Sequence, residues 1–378
     1  MRVALVFNQK KEDARQYVRM DEKSKPPGGN GGASATSINR TSESLSTQHI
    51  SDLYAEWDSP ETIEAVRSAL AEVHDVTLVE ADENACERLR QDRPQIVFNM
   101  SEGLYGISRE AQIPAILELL QIPYTGSDPL TLATCLDKSR AKEILSYYQV
   151  PTPAFRVISH VAELRQRRFS FPQMVKPLHE GSSKGVFNSS VVSNAGDLER
   201  EVFNILERYQ EPALVEEYLG GREFTVALLG NGNGVTVLPI VEIRFGSLPE
   251  GVNPIYSYEA KWIWDTADNP LDIFSCPADI TPSLRESIEK TCVQAYHLLR
   301  CRDWCRIDVR LDARGIPHIL ELNPLPGILP DPDENSCFPK AARAAGIGYS
   351  QLIQTVLSLA AVRTGVVAVP MPSFQETP

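Results

Sequence analysis

Arg306-Ile307-Asp308-Val309-Arg310, followed by Ile319-Leu320-Glu321-Leu322-Asn323, are the two segments on which the reading of this chain turns. Each alternates apolar with polar residues, the period of a half-buried strand. Ile307, Val309 and Leu311 share one face, and Arg306, Asp308 and Arg310 the other. Asp312-Ala313-Arg314-Gly315 joins the segments as a turn. A hairpin register with an odd index sum then sets Arg306, Asp308, Glu321 and Asn323 side by side. Two carboxylates and an amide oxygen form a hard-oxygen set suited to Mg²⁺, which takes few protein ligands and completes its shell with substrate phosphates. Two carboxylates that close repel each other unless a cation neutralises them. The alternative is a solvated polar face paired with Arg310. Apolar surroundings and the rigid Pro324-Leu325-Pro326-Gly327 that follows weigh against it.

Upstream, Glu180-Gly181-Ser182-Ser183-Lys184-Gly185-Val186 follows Met174-Val175-Lys176-Pro177. Glycine and serine let the backbone approach an anion closely, with N–H groups turned toward phosphate oxygens. Lys176, at the end of a strand, adds a fixed positive charge. No strand–glycine–helix context surrounds this loop, so it is neither a Walker loop nor a dinucleotide fingerprint. The alternative is a plain β-turn beside a surface lysine.

The rest of the chain supplies an α/β frame in three parts. In the first, Arg2 to Phe7 reads as a buried strand, and Ser59-Pro60-Glu61 as a helix start with stripe Ile63, Val66, Leu70. Val76 to Val79 and Ile96 to Phe98 read as strands, and Ile113, Ile116, Leu117 and Leu120 as a helix. That alternation implies a parallel sheet. Residues 8–50, rich in Gly, Pro, Ser and Thr, read as a flexible loop. The second part begins near Thr134: a helix capped by Asp137 with stripe Ala141, Ile144, Leu145, Tyr148, then strands at 155–158, 174–176, 186–192 and 213–217 around a helix at 197–209. The third has strands at 223–229 and 236–243, a helix near 284–300, the hairpin above, and a last helix carrying Leu352, Ile353, Val356, Leu357 and Ala360. The boundaries are 1–133, 134–217 and 218–370.

Composition narrows the function. The chain has 378 residues, with 37 Lys+Arg against 50 Asp+Glu and a net charge of −13, which argues against a nucleic-acid footprint. No apolar run approaches a membrane span. Seven cysteines without regular spacing do not form a disulfide framework, and Cys301 and Cys305 lack the second pair a zinc site needs. The expectation is a cytoplasmic protein with reduced thiols and no membrane partner.

Taken in order, the motifs resemble those of the ATP-grasp superfamily and, within it, the D-alanine–D-alanine ligases. The resemblance spans residues 95–361. It rests on Ile122-Pro123-Tyr124-Thr125-Gly126-Ser127 with Asp137-Lys138, on Val175-Lys176-Pro177 with Glu180 to Ser183, and on Leu214-Val215-Glu216 with Arg222-Glu223-Phe224-Thr225-Val226. Tyr258-Glu259-Ala260-Lys261, the two opening segments, and Pro339-Lys340-Ala341-Ala342 complete it. It implies an ATP-grasp fold: an N-terminal parallel α/β subdomain followed by two α+β subdomains that clamp ATP.

The resemblance also implies roles. Lys138, Lys176 and Lys261 would hold ATP phosphates, with Glu180, Ser182 and Ser183 in the phosphate loop. Glu216, Tyr218 and Leu219 would meet the adenine, and Glu223 the ribose. Asp308, Glu321 and Asn323 would ligate Mg²⁺, with Mn²⁺ as an alternative ion. Arg306 would steady charge on the acyl group, and Ser182 would lie beside the substrates. The implied activity is a Mg·ATP-dependent carboxylate–amine ligase that works through an acyl phosphate on small-molecule substrates. A homodimer is the family's habit.

The match fails where the amino-acid substrates should sit. The family's Ser-Ala-Glu-type loop after strand 1, whose glutamate pairs with the first substrate's ammonium, is displaced by the 8–50 loop. Glu12, Asp52, Glu56 and Asp58 all remain candidates for that role. The His-Gly motif is replaced by Asn99-Met100-Ser101-Glu102-Gly103, which makes Glu102 and Arg109 substrate candidates, or members of an internal ion pair with Glu110. Trp262 stands where the family shows tyrosine, and Ser336 is the match for the serine that holds the second substrate's carboxylate. The reading is therefore a D-alanine–D-alanine ligase-like enzyme with an altered amino-acid pocket. Its rivals are a ligase for another metabolite and a non-catalytic ATP-binding regulator.

Overall fold

The computed structural model describes residues 1–11, 54–264 and 271–366, apart from the side chain of Trp262. The expected loop lies outside the described residues from position 12 onward, as do Glu12, Asp52 and the tail beyond 366.

The first sheet is parallel, in the order β2-β1-β3, with β1 Arg2–Phe7, β2 Asp75–Glu80 and β3 Ile96–Asn99. Its central strand is apolar on both faces because both are covered. Val3, Leu5 and Phe7 pack with Ile63, Val66 and Leu70 of helix α1 (Pro60–Ala71). Ala4 and Val6 pack with Leu89 of α2 (Ala85–Asp92) and with Ile113 and Leu117 of α3 (Gln112–Leu120). Helix α1 starts where its cap directs: Ser59 Oγ accepts from Thr62 N at 3.3 Å, with Pro60 in the first turn. Just beyond β1 the chain is tied to the residues before α1. Lys10 N donates to Asp58 O at 2.8 Å, and Asp58 N to Asn8 O at 3.1 Å.

Helices α4 (Pro129–Leu136) and α5 (Lys138–Tyr147) lead onward, so the expected boundary at 133/134 falls inside α4. Asp137 Oδ1 caps α5 through Ser139 N at 3.0 Å and Arg140 N at 3.2 Å. The apolar stripe of α5 stops short of the expectation. Tyr148 follows the last helical residue and is 52% exposed.

The second sheet is antiparallel, β4-β7-β5-β6, with β4 Phe155–Ile158, β5 Gln173–Pro177, β6 Val191–Val192 and β7 Ala213–Glu217, backed by α6 (Ala195–Tyr209). The strand expected over 186–192 shrinks to β6. Ser182, Ser183 and Gly185 adopt φ of 48°, 61° and 70°, and Asn188–Ser190 forms a short 3₁₀ turn, so the backbone before Val191 curls instead of pairing.

The third sheet runs β11-β10-β8-β12-β13, with β9 beside β8. Its strands are β8 Glu223–Leu229, β9 Thr236–Val237, β10 Val241–Ile243, β11 Phe274–Ser275, β12 Trp304–Leu311 and β13 Pro317–Asn323. The strand expected over 236–243 is split around Pro239, which has no N–H to donate. Helix α7 (Pro282–Leu298) covers one face through Ile288, Cys292, Ala295 and Tyr296. On the other, α8 (Cys337–Ala344) and α9 (Tyr349–Thr364) share a core with β1 and α1. Strand β12 thus lies between two apolar cores, while the polar side chains near its middle open toward the second sheet.

Candidate active site

A cleft of about 390 Å³ opens between residues of the second and third sheets, edged by the 55–59 segment of the first part. Its walls follow from strand alternation: Arg306, Asp308 and Arg310 from β12, Glu321 from β13, Glu223 and Thr225 from β8, and Lys176 from β5 all face it.

At one corner, β12 and β13 pair with Arg306 opposite Asn323 and Asp308 opposite Glu321, the odd-sum register, before a bulge at Asp308/Val309. Arg306 Nε and Nη2 donate to Asp308 at 3.1 and 3.0 Å, and Asn323 Nδ2 donates to Asp308 Oδ2 at 3.3 Å. Burial raises both acids. At Glu321, Lys138, Lys176 and Arg306 outweigh it and hold the carboxyl at about 2. At Asp308, burial and the Glu321 charge win over Arg306, and the carboxyl is lifted. A bound cation would relieve that repulsion, and Asp308 and Glu321, which face the cleft, fit Mg²⁺; Asn323 turns its amide nitrogen to Asp308 and would offer its oxygen to the ion with the amide reversed.

Three lysines surround this corner. Lys138, in the first turn of α5, donates to Glu180 O at 2.5 Å and lies 3.8 Å from Glu321 Oε2. Lys176 is 2.7 Å from Glu216 Oε1, and burial opposes its charge less than Glu216 and Glu321 favour it. Lys261, in a π-helical turn over Ala260–Trp264, donates to Ser182 Oγ at 3.4 Å. Burial, with Arg306 nearby, brings Lys261 down to about 8.

The Gly/Ser loop is fastened at both ends. Ser183 Oγ donates to Tyr256 O at 2.9 Å, and Gly181 N to Glu56 Oε1 at 2.9 Å. A Cβ on Gly181 would sit 2.5 Å from that oxygen, so a side chain there would push the Glu56 carboxylate aside. Lys184 is 2.6 Å from Glu180 and 3.6 Å from Glu56.

The adenine and ribose candidates line the same cleft: Glu216, Tyr218, Leu219 and Glu223. Glu216 is almost fully buried between Lys176 and Lys142, whose Nζ lies 2.9 Å from Oε2. The two cations outweigh burial and keep Glu216 below the usual carboxylate range.

The substrate candidates separate. Of the four acids considered after strand 1, Glu56 and Asp58 line the cleft. Glu56 accepts from Arg109 Nη2 at 2.9 and 2.8 Å. Arg109 is 5% exposed, also reaches Glu180 at 3.3 Å, and donates Nη1 to His179 O at 2.9 Å. Arg109 and Glu102 are therefore not among the cleft-lining residues. The ion pair at Arg109 is internal, yet its partners are Glu56 and Glu180 rather than those expected. Burial pushes Glu102 well up and Glu110 to about 7. Burial also lifts Asp58 to about 8. Ser336 lines the cleft, but its hydroxyl already donates to Gly327 O at 3.3 Å and accepts from Leu329 N at 3.2 Å, which pins the 327–336 loop. The side chain of Trp262 lies outside the described set.

Three residues were missed by sequence reasoning: Lys142, Lys184 and Arg310 as the partner of Glu223. Lys142 stands one helical turn after Lys138, an i,i+4 spacing that could have signalled it. Arg310 was read only as a companion of Asp308. Its Nη1 instead donates to Glu223 Oε2 at 2.7 Å across β8.

The three sheets, with the lysines and acids gathered over one cleft, define an ATP-grasp enzyme. The family model described as D-ala D-ala ligase C-terminus matches residues 144–358. A D-alanine–D-alanine ligase of Bordetella avium is 36% identical over 297 residues, covering 78% of this chain and 86% of that one. The uncharacterized protein y4sG of Sinorhizobium fredii is 36% identical over 313 residues, covering 80% and 88%. A solved D-alanine–D-alanine ligase from Bacillus anthracis shares the fold with a TM-score of 0.63 at 23% identity, over 97% of this chain and 99% of that one. The chain belongs to the D-alanine–D-alanine ligase family. It is an ATP-dependent ligase that forms C–N bonds between small molecules.

Proposed function

We propose that the chain activates a carboxylate as an acyl phosphate with Mg·ATP and transfers the acyl group to an amine, in an amino-acid pocket altered from that of its relatives. The carrying observation is the single corner where Arg306, Asp308, Glu321 and Asn323 meet Lys138 and Lys176. Magnesium, held by Asp308, Glu321 and Asn323, would supply charge neutralisation for phosphoryl transfer. Lys138, Lys176 and Lys261 would position the ATP phosphates, with Glu180, Ser182 and Ser183 shaping the loop over them. Glu216, Tyr218 and Leu219 would form the adenine slot, and Glu223 would bind the ribose.

A carboxylate is a poor acyl donor because its oxygen must leave as a dianion. The γ-phosphoryl group of ATP converts that oxygen into a phosphate leaving group, and the amine then attacks the carbonyl carbon. Arg306 would steady the charge on the acyl oxygens. The loop tied down by Glu56 and Tyr256 would keep water from the acyl phosphate. No protein nucleophile is required.

The pocket's alteration centres on Glu56, which is engaged by Arg109 and Lys184, and on Trp262 in the tyrosine's place. D-alanine dipeptide synthesis is the leading named activity, and a peptide or amide ligase for another metabolite is its close rival. Ser336 would meet the acceptor from the pinned loop.

The division at 1–133, 134–217 and 218–370 is supported by each sheet coming from one span. All seven cysteines are free, which supports a cytoplasmic setting. No single helix among the described residues is long and apolar enough to cross a membrane. A homodimer is proposed from the family alone.

The test is ADP release with Mg·ATP across D- and L-amino acids, singly and in pairs, with Asp308→Ala as the blank. Turnover with D-alanine alone would identify a dipeptide ligase of the familiar kind. Turnover only with another acid–amine pair would establish a different specificity. Absence of turnover with every pair would count against a ligase for amino acids.

A further inference from the structure

Arg310 has no part in the reading above, yet it is a buried side chain of the cleft wall with both terminal nitrogens engaged. It is 4% exposed, and its guanidinium is gripped from four segments. Nη1 donates to Glu223 Oε2 at 2.7 Å. Nη2 donates to Pro254 O at 2.7 Å and to Tyr218 Oη at 3.2 Å. The guanidinium carbon lies 4.9 Å from the Tyr218 ring centre and 5.4 Å from that of Phe245. Such stacking fixes a planar cation in orientation as well as position. Glu223 sits directly opposite on β8 and is itself buried. Its Oε2 is taken by Arg310, and no hydrogen bond among the described residues reaches Oε1.

The charges around Glu223 make this arginine consequential. Burial lifts Glu223 above the usual carboxylate range; Arg310 and Lys176 from β5 oppose that, while Asp308 from β12 and Glu321 from β13 add to it. Without Arg310, one cation would face two further carboxylates, and an isolated buried carboxylate takes up a proton rather than stay charged. A protonated acid is a weaker hydrogen-bond acceptor than a carboxylate.

We infer that Arg310 is a positioning residue for nucleotide recognition: it clamps one oxygen of Glu223 so that the other is presented to the ribose hydroxyls of ATP. The inference rests on the ribose role proposed for Glu223. It makes sugar discrimination a property of the Arg310–Glu223 couple. A nucleotide without ribose hydroxyls leaves Oε1 without its partner, at a cost of about 10–100-fold in affinity for a charged hydrogen bond.

The test is calorimetric titration of the full chain with Mg·ATP and with Mg·2′,3′-dideoxy-ATP, which needs no knowledge of the acyl substrates. The wild type should prefer ATP by about 10–100-fold. Arg310→Met should cut that preference to within about threefold, chiefly by weakening ATP, while Arg310→Lys should recover part of it. A merely structural role would weaken both nucleotides equally and leave their ratio intact, which would overturn the inference. Glu223→Gln separates the two claims. Retained preference in Glu223→Gln removes the ribose reading and the inference with it. Lost preference there, with full preference in Arg310→Met, removes the inference alone. Should Arg310→Met not fold, Arg310→Lys carries the test, and an unchanged ATP to dideoxy-ATP ratio in that variant overturns it.

Discussion

Lys142 Nζ lies 2.9 Å from Glu216 Oε2, with the two side chains only 2% and 3% exposed. Lys176 holds the other oxygen at 2.7 Å, so one buried carboxylate serves two ammonium groups. Burial brings Lys142 down to about 8 against the pull of Glu216. The asymmetry predicts an order of losses. Lys142→Met leaves Glu216 its second partner and should cost about 1–3 kcal/mol. Glu216→Gln leaves two ammonium groups buried together and should cost about 3–5 kcal/mol. Urea unfolding of both variants checks this, and the reverse order would sink the account.

His179 gives a pH signature. Its Nδ1 is 2.8 Å from Glu211 and its Nε2 is 3.6 Å from Asp137, the cap of α5. Burial opposes the imidazolium, but the two carboxylates outweigh it and raise His179 to about 9. A folded value above the unfolded one means that the stabilisation is complete below about 6.5 and is lost as pH rises through about 9. His179→Gln should therefore be less stable than the wild type at pH 6, with the gap closing toward pH 10. A gap constant across that range in denaturant midpoints would contradict the pairing.

Asp308→Ala and Glu321→Ala should each lower ADP formation by at least about 10²–10³-fold, the scale of losing one preorganised electrostatic group. Circular dichroism and melting should show the fold retained, because both residues edge an open cleft. Activity within a few-fold of wild type in either variant would remove that residue from the metal set.

Arg109 joins Glu56, Glu180 and the His179 carbonyl, so it fastens the 54–58 segment to the Gly/Ser loop. Arg109→Met should cost about 3–5 kcal/mol by leaving Glu56 short of a counter-ion. It should also speed amide exchange at residues 181–185 more than at β12. Unchanged exchange there would mean that the loop is held by Tyr256 and Lys184 without help from Arg109.

What could be read in advance divides along physical lines. The β12–β13 hairpin was legible because two-residue alternation and an odd register fix which side chains meet, and the parallel first sheet because strands and helices alternate along the first part. Helix starts at Ser59 and Asp137 were legible from their caps. The curl before Val191 was not, since Val186 to Val192 has the composition of a strand and only the positive φ of Ser182, Ser183 and Gly185 turns it aside. Buried ion pairs were the least visible. Lys142, Lys184 and Arg310 look in sequence like solvated charges, because nothing local to them announces partners that come from other sheets and loops. Glu56 stood as one candidate among four, because nothing local to it announces that Arg109 and Gly181 would hold its carboxylate.

The backbone tie beside the first sheet carries a consequence of its own. Asp58 is bonded on both sides, accepting from Lys10 N and donating to Asn8 O, so the exit of β1 and the Glu56 segment are stitched together at a single suture. Glu56 in turn accepts from Gly181 N and from Arg109. The place of Glu56 beside the Gly/Ser loop is therefore set by this suture on the first sheet, which makes the end of a parallel sheet's central strand part of the frame around the reaction centre.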